Sequence, residues 1–395
     1  MRFASRMERL GTESAFEVLA QARKLEATGK SVIHLEIGEP DFDTPGNIIE
    51  SAYSAMRAGA THYTPAAGIP EVREAIAATM SKRGGIPVSA DQVVVVPGSK
   101  NILHFALLSL IEEGDEVILP DPGYPVYRSL TDFVGAVAKP IRLREDREFG
   151  MDLDELEALI SPRTRMVIIN SPQNPTGGVL DRHDLDRLAE LAMAHDLIVF
   201  SDEIYSRICF SELPEPIWSR PGMAERTIVL DGLSKTYAMC GWRLGYGVMP
   251  RPLAQRMETL LINTSSCAAS FTQRAAVEAL ESPTSEQAVA RMVEEFKRRR
   301  DVLVAGLNSI PGVRCLLPKA SFYAFPNITD TGLSSREMAS RLLQEAGVAA
   351  LAGEAFGEAG AGFIRLAYTQ GLPDIEEAVR RVAAFVDSTA TARVH

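Results

Sequence analysis

"VLDGLSKTYAMCGWRLGYGVM", residues 229–249, decides how this chain is read. A short apolar strand, Thr227–Leu230, runs into a loop carrying Lys235, and a second apolar run begins at Arg243. The two cations stand eight residues apart in a segment that otherwise reads as core. A buried cation is costly unless an anion or a covalent partner meets it. The segment therefore predicts the edge of a covered sheet with a ligand seated on it.

The same strand-then-polar-loop pattern recurs upstream. Val93–Val96, Glu116–Leu119, Met166–Ile169 and Leu197–Phe200 are short β-branched or apolar runs, as expected of strands covered on both faces. Helical patterns separate them, one over Ser99–Glu113 stopped by Gly114, another over about 181–195. Alternating strands and helices predict an α/β fold, a mostly parallel sheet flanked by helices. A long polar helix pattern over about 285–309 breaks at Pro311-Gly312, and "SFYAFPNI", "SREMASRLLQEAG", "GFIRLAY" and a last helix from about Asp374 follow. These predict a second, smaller α/β domain. Before Pro45, a helix pattern at 13–28 leads into the irregular "VIHLEIGEPDFDTP". The expected division is an N-terminal arm over 1–45 that packs with the small domain, a large domain over 46–284 and a small domain over 285–395.

Composition narrows the function. The 395 residues carry a formal net charge of −11, which argues against sequence-independent nucleic-acid binding and against anionic membranes. The cysteines, Cys209, Cys240, Cys267 and Cys315, form no C-x-x-C pair, which suits reduced thiols rather than a disulfide framework or a zinc site. The N-terminus has charges throughout and no secretory h-region, and no apolar run approaches a membrane span. A cytoplasmic protein is expected.

In open parallel sheets, ligands bind beyond the carboxyl ends of the strands. Gly98, Ser99 and Lys100 follow strand 93–96 and open a helix, offering backbone N–H groups to an anion. Asn174 in "NSPQNPTGG" follows strand 166–169, Asp202 and Tyr205 in "SDEIY" follow strand 197–200, and Ser234 and Lys235 follow strand 227–230. Singly, each has an ordinary reading as a cap, a turn or a solvated charge. Five such groups at one sheet edge converge on a single ligand.

A ligand with a phosphate, a ring nitrogen, a phenolic oxygen and an aldehyde would use them all. That is pyridoxal 5′-phosphate, held as a Schiff base to Lys235. The helix start at Ser99, the Ser234 hydroxyl and Arg243 would take the phosphate. Asp202 would partner the ring nitrogen, Asn174 and Tyr205 the phenolic oxygen, and Tyr124 in "DPGYPVY" would stack on the ring. Other mechanistic motifs fail: no G-x-G-x-x-G follows a strand, and there is no P-loop, G-x-S-x-G or H-E-x-x-H. The glycines of "GEAFGEAGAGF" (353–363) precede a strand and read as a plain loop, and the histidines show no ligand spacing.

"SPQNPTGG", "SDEIYS" and "DGLSKTYAMCGWRLGYG" resemble the class I/II aminotransferases of the pyridoxal-phosphate fold-type I group, in their aspartate-aminotransferase-like branch. The resemblance runs from "IGEPDFDTP" to "FIRLAY". It implies that Arg365 clamps the substrate α-carboxylate, a role its planar fork suits. It further implies that Gly38 offers backbone beside the same group, that Asn174 serves substrate as well as cofactor, and that Tyr63 reaches a neighbouring subunit's phosphate in a homodimer. The implied reaction is ping-pong transamination with Lys235 as general base.

The chain departs from the family at two places. Gly232 stands where many relatives carry serine three residues before the lysine. Lys100 stands where acid-preferring relatives can place a lysine for a distal carboxylate, a hint of aspartate or glutamate, whereas Ala15 and Phe16 in "ESAF" suit alanine, methionine or aromatic donors. A β-lyase or decarboxylase on the same scaffold stays open. So does a non-catalytic regulatory protein, since fold alone does not establish function. The acidic balance and the lack of residues for a helix-turn-helix before Ile33 count against the latter.

Overall fold

The computed structural model describes residues 1–394. After a two-residue strand β1 (Ile33–His34), seven strands build one sheet: β2 (Val93–Val96), β3 (Glu116–Asp121), β4 (Val137–Arg142), β5 (Thr164–Asn170), β6 (Ile198–Asp202), β7 (Thr227–Gly232) and β8 (Gly245–Val248). Their order across the sheet is β2-β8-β7-β6-β5-β3-β4. All neighbours from β7 to β4 pair parallel, and β8 runs antiparallel to both β7 and β2. The expected mostly parallel sheet is the sheet observed.

Alternation along each strand divides the residues between two cores. Val93, Val95, Ile118, Val167, Ile169, Val199 and Val229 face one core, shared with the helices Gly46–Arg57, Pro70–Gly84, Arg182–Ala194 and Ser270–Glu281. Val94, Val96, Val117, Leu119, Met166, Ile168, Phe200, Ile228 and Leu230 face the other, shared with Lys100–Leu110, Pro125–Val134 and Arg251–Thr264. Burial on both faces is why these strands are apolar runs rich in β-branched residues, each such side chain contributing about 1.5–3 kcal/mol on leaving water.

β4 escaped the sequence pattern because it is an edge strand. In "VAKPIR" only Ile141 is buried, and Pro140, which cannot donate to a ladder, is tolerated at an edge. The second apolar run also starts later than expected. Arg243 lies in the preceding loop at φ +54°, and the strand proper begins at Gly245.

A third core forms around the helices Pro283–Asn308 and Leu372–Val394. Here β9 (Tyr323–Ala324), β11 (Leu351–Ala352) and β12 (Ile364–Ala367) make an antiparallel sheet in the order β11-β12-β9. β10 (Val348–Ala349) pairs parallel with β1, and Ile33 and Leu35 enter this core beside Phe322 and Leu366. The glycine-rich stretch 353–363 is two short 3-10 turns, Gly353–Phe356 and Glu358–Gly360, where a plain loop was expected. Among the described residues no helix is long and apolar enough to cross a membrane.

Candidate active site

The carboxyl ends of β5, β6 and β7, the loops after β2 and β3, the segment after β1 and strand β12 enclose one cleft of about 480 Å³. Gly38, Ser99, Lys100, Tyr124, Asn174, Asp202, Tyr205, Ser234, Lys235, Arg243 and Arg365 all line it. Gly98 stands just behind the wall at φ +86°, where a Cβ would overlap the Arg243 guanidinium. Tyr63 does not line this cleft; the residue is 88% exposed. Arg243 is exposed rather than buried, and donates to the Cys240 carbonyl at 2.7 Å.

Asn170 and Asp202 are register partners at the ends of β5 and β6. The buried Asp202 accepts from the Tyr127 hydroxyl at 2.6 Å and from the Ile204 N–H at 3.2 Å. Burial pushes its carboxyl up to about 6, with those two bonds pulling the other way. Because the folded value lies above the unfolded one, the charged form costs stability: nothing below about pH 4, and the full amount above about pH 6. A shift of this size is worth about 3 kcal/mol. Asp202→Asn is therefore expected to match wild type near pH 4 and to exceed it in stability at pH 7.5 in cofactor-free protein. Thermal melts at the two pH values check this, and an equal difference at both would refute it.

Lys235 sits in the four-residue helix Leu233–Thr236 directly after β7. Its Nζ donates to the Gly38 carbonyl at 2.5 Å and lies 3.7 Å from Cys240 Sγ. Among the described residues no carboxylate forms an ion pair with it. Gly232 and Gly245 face each other on β7 and β8, and a Cβ on either would overlap Ser99. Ser99 Oγ fills that space and donates to the Asp231 carbonyl at 3.0 Å. The departure at Gly232 thus has a steric cause: a serine there and Ser99 would compete for one volume.

Arg365 comes from β12, buried, with its guanidinium 4.5 Å from the centre of the Tyr323 ring. It donates to Asn174 Oδ1 at 3.2 Å and to the Glu36 carbonyl, while its Nε is buried without a partner. No carboxylate among the described residues pairs with it. The Asn174 N–H is fixed by Asn170 Oδ1 at 2.9 Å. Tyr205, expected at a ligand oxygen, has its hydroxyl 2.9 Å from that of Tyr323.

A Cβ on Gly38 would overlap that same Tyr323 hydroxyl. The ring is buried, so Gly38→Ala must displace it and disturb the Tyr205–Tyr323 bond. The expected result is binding of the cleft's ligand weakened about 10-fold or more, the equivalent of one such bond. A ligand titration checks it, and an unchanged affinity would show that the ring moves without consequence.

Lys100 lines the cleft but already has a partner. Its ammonium is engaged by Glu13, so neither a phosphate nor a substrate carboxylate meets a free cation there while the contact holds. Sequence reasoning also missed Tyr127, Asn170, Tyr323 and Glu13. Tyr127 follows Tyr124 by three residues at a proline-started helix, a spacing that puts both on one side, and that signal was available. Tyr323 arrives from a distant segment and carried none, whereas Glu13 opens the "ESAF" stretch whose Ala15 and Phe16 bear on the donor. Among the described residues no group of three or more His, Cys, Asp or Glu could hold a metal.

The family model for aminotransferase class I and II matches residues 30–382. The chain is 40% identical to the aspartate aminotransferase of Pyrococcus abyssi, over 89% of this chain and 91% of that protein. It is also 40% identical to an arginine–pyruvate transaminase of Pseudomonas aeruginosa, over 97% of this chain and 98% of that one. The crystal structure of an aromatic aminotransferase from Pyrococcus horikoshii resembles it with a TM-score of 0.89 at 39% identity, covering 94% of this chain and 99% of the other. Relatives named for acidic, basic and aromatic donors thus share one scaffold.

Proposed function

The chain belongs to the class I and II aminotransferases, pyridoxal-phosphate enzymes that move an amino group between an amino acid and a 2-oxo acid, and from that premise we propose how its residues divide the work. When bound, the cofactor supplies a carbonyl carbon that takes up the amine and a ring that draws electrons from the substrate Cα. Lys235 holds that carbon between turnovers and, once released, moves the proton at the substrate Cα as general base. Asp202 holds a proton on the ring nitrogen; a cationic partner relieves the cost of its buried charge. The Gly98–Ser99 backbone at a helix start, Ser234 and Arg243 hold the phosphate, with Lys100 at the edge of that group. Asn174 and Tyr205 would hold the phenolic oxygen, and Tyr124 would stack on the ring.

Arg365, with Gly38 and Asn174, binds the substrate α-carboxylate. The observation that carries this reading is a buried arginine with an unpartnered Nε and no acid beside it, lining the same cleft as Lys235 and Asp202. An anion must complete it. The exposure of Tyr63 supports a homodimer in which it reaches the partner's phosphate site. The pairing of β1 with β10 supports an arm over 1–45 that belongs with a small domain over 285–395, beside a large domain over 46–284. Composition and scattered thiols support a cytoplasmic location.

For the donor, the apolar Ala15, Phe16, Ile37 and Leu103 and the neutralised Lys100 support an uncharged side chain: alanine, methionine or an aromatic. Lys100 keeps aspartate or glutamate as the second reading. The test is the visible absorption of the holoenzyme with single amino acids and no 2-oxo acid. Faster bleaching by phenylalanine or methionine than by aspartate supports the first reading, and the reverse order supports the second. Bleaching by none would overturn the site assignment.

A further inference from the structure

The outer part of the cleft carries a cation and an anion that satisfy each other. Glu13 immediately precedes the helix Ser14–Glu26, and Lys100 opens the helix Lys100–Leu110. Both line the cleft. The Lys100 side chain is 52% exposed and that of Glu13 25%, so both stand nearer solvent than Arg365. The ammonium donates to Glu13 Oε1 and sits 5.5 Å from the centre of the Tyr124 ring, so the aromatic face holds the cation in place. Phe16, Ala15 and Leu103 supply apolar surface around them.

This arrangement sorts side chains by charge. A distal carboxylate meets Lys100 in competition with Glu13, and a distal ammonium or guanidinium meets Glu13 in competition with Lys100. A neutral side chain disturbs neither. Glu13 is tethered beside Lys100 by the fold and competes with a substrate group at a high effective concentration. A partly exposed pair is nonetheless weak, so the discrimination is expected to be tens-fold rather than thousands-fold.

We propose that the Glu13–Lys100 pair is a two-way specificity latch. Closed, it admits uncharged donors; with either partner removed, the mouth becomes a receptor for the charge opposite to the one that remains. This rests on the assignment of Arg365 and Lys235 above, and it adds Glu13, on the N-terminal arm, as a specificity-determining residue.

The test compares single-turnover bleaching of holoenzyme by aspartate, arginine and phenylalanine in wild type, Glu13→Gln, Lys100→Met and the double variant. Glu13→Gln is expected to raise the aspartate/phenylalanine ratio of kcat/KM by about 10-fold, and Lys100→Met to raise the arginine/phenylalanine ratio by a similar factor. The double variant should lose both gains. Calorimetry with succinate, an unreactive dicarboxylate, should show Glu13→Gln binding it about 10-fold tighter than wild type. Ratios and succinate affinity within twofold of wild type would overturn the latch while phenylalanine turnover leaves the site assignment standing. Failure of every amino acid to bleach the wild type would overturn both.

Discussion

Lys235→Ala is expected to lose the visible absorption of the bound cofactor and to lower amino transfer by roughly 10⁴-fold or more. Among the polar groups of the cleft, no other can take over. Lys100 is engaged by Glu13, and the remaining cations, Arg243 and Arg365, are guanidinium groups that do not give up their protons in proteins. Lys235→Arg should fail almost as badly, because it restores charge without a deprotonable amine. The fold has little reason to suffer, since the amine's one oxygen partner is the Gly38 carbonyl at the cleft surface. Circular dichroism should stay native while turnover vanishes. A small primary amine added to Lys235→Ala should recover part of the rate, since truncation leaves room for it at the carbon in question. Full turnover by Lys235→Ala would remove the lysine from the chemistry.

The parts of this molecule legible from sequence are those whose cause is local. β2, β5, β6 and β7 could be read because two-sided burial demands uninterrupted apolar runs, and the residues just beyond them could be placed because parallel strands end at a common edge. β4 could not, because an edge strand with one buried residue carries no such run. The site failed to be legible where its cause is tertiary. Tyr323 reaches the cleft through the pairing of β9 with β12, and nothing in "SFYAF" tells which large-domain group it will meet. The Lys100 partner is not legible in the sequence, because Glu13 lies 87 residues earlier and only the tertiary fold brings the two together. The departure at Gly232 is likewise tertiary, because the volume a side chain would take there holds Ser99 Oγ, from another strand's loop.

Arg365→Met is expected to lower kcat/KM for every amino donor by roughly 10²–10³-fold, the usual consequence of truncating one partner of a buried, hydrogen-bonded charge pair. The loss should fall mainly on KM, because a carboxylate clamp acts on the bound substrate as well as on the transition state. Arg365→Lys should recover only part, since a point charge cannot reproduce two parallel N–H donors. The cofactor's visible absorption should persist in both variants, as its proposed holders do not include this side chain. The contrary reading makes Arg365 an internal brace, tying Asn174 Oδ1 and the Glu36 carbonyl to β12. A brace predicts a different pattern: a lower melting temperature, loss of bound cofactor and an unchanged KM in whatever enzyme survives. The structure favours the clamp. A brace would satisfy all its donors within the protein, whereas Arg365 keeps Nε unpartnered, has no acid beside it, and stacks on Tyr323 and Phe356 with its charge unanswered. An arginine held that way costs the protein stability until an anion arrives, and the α-carboxylate is the anion common to every amino acid the enzyme could accept.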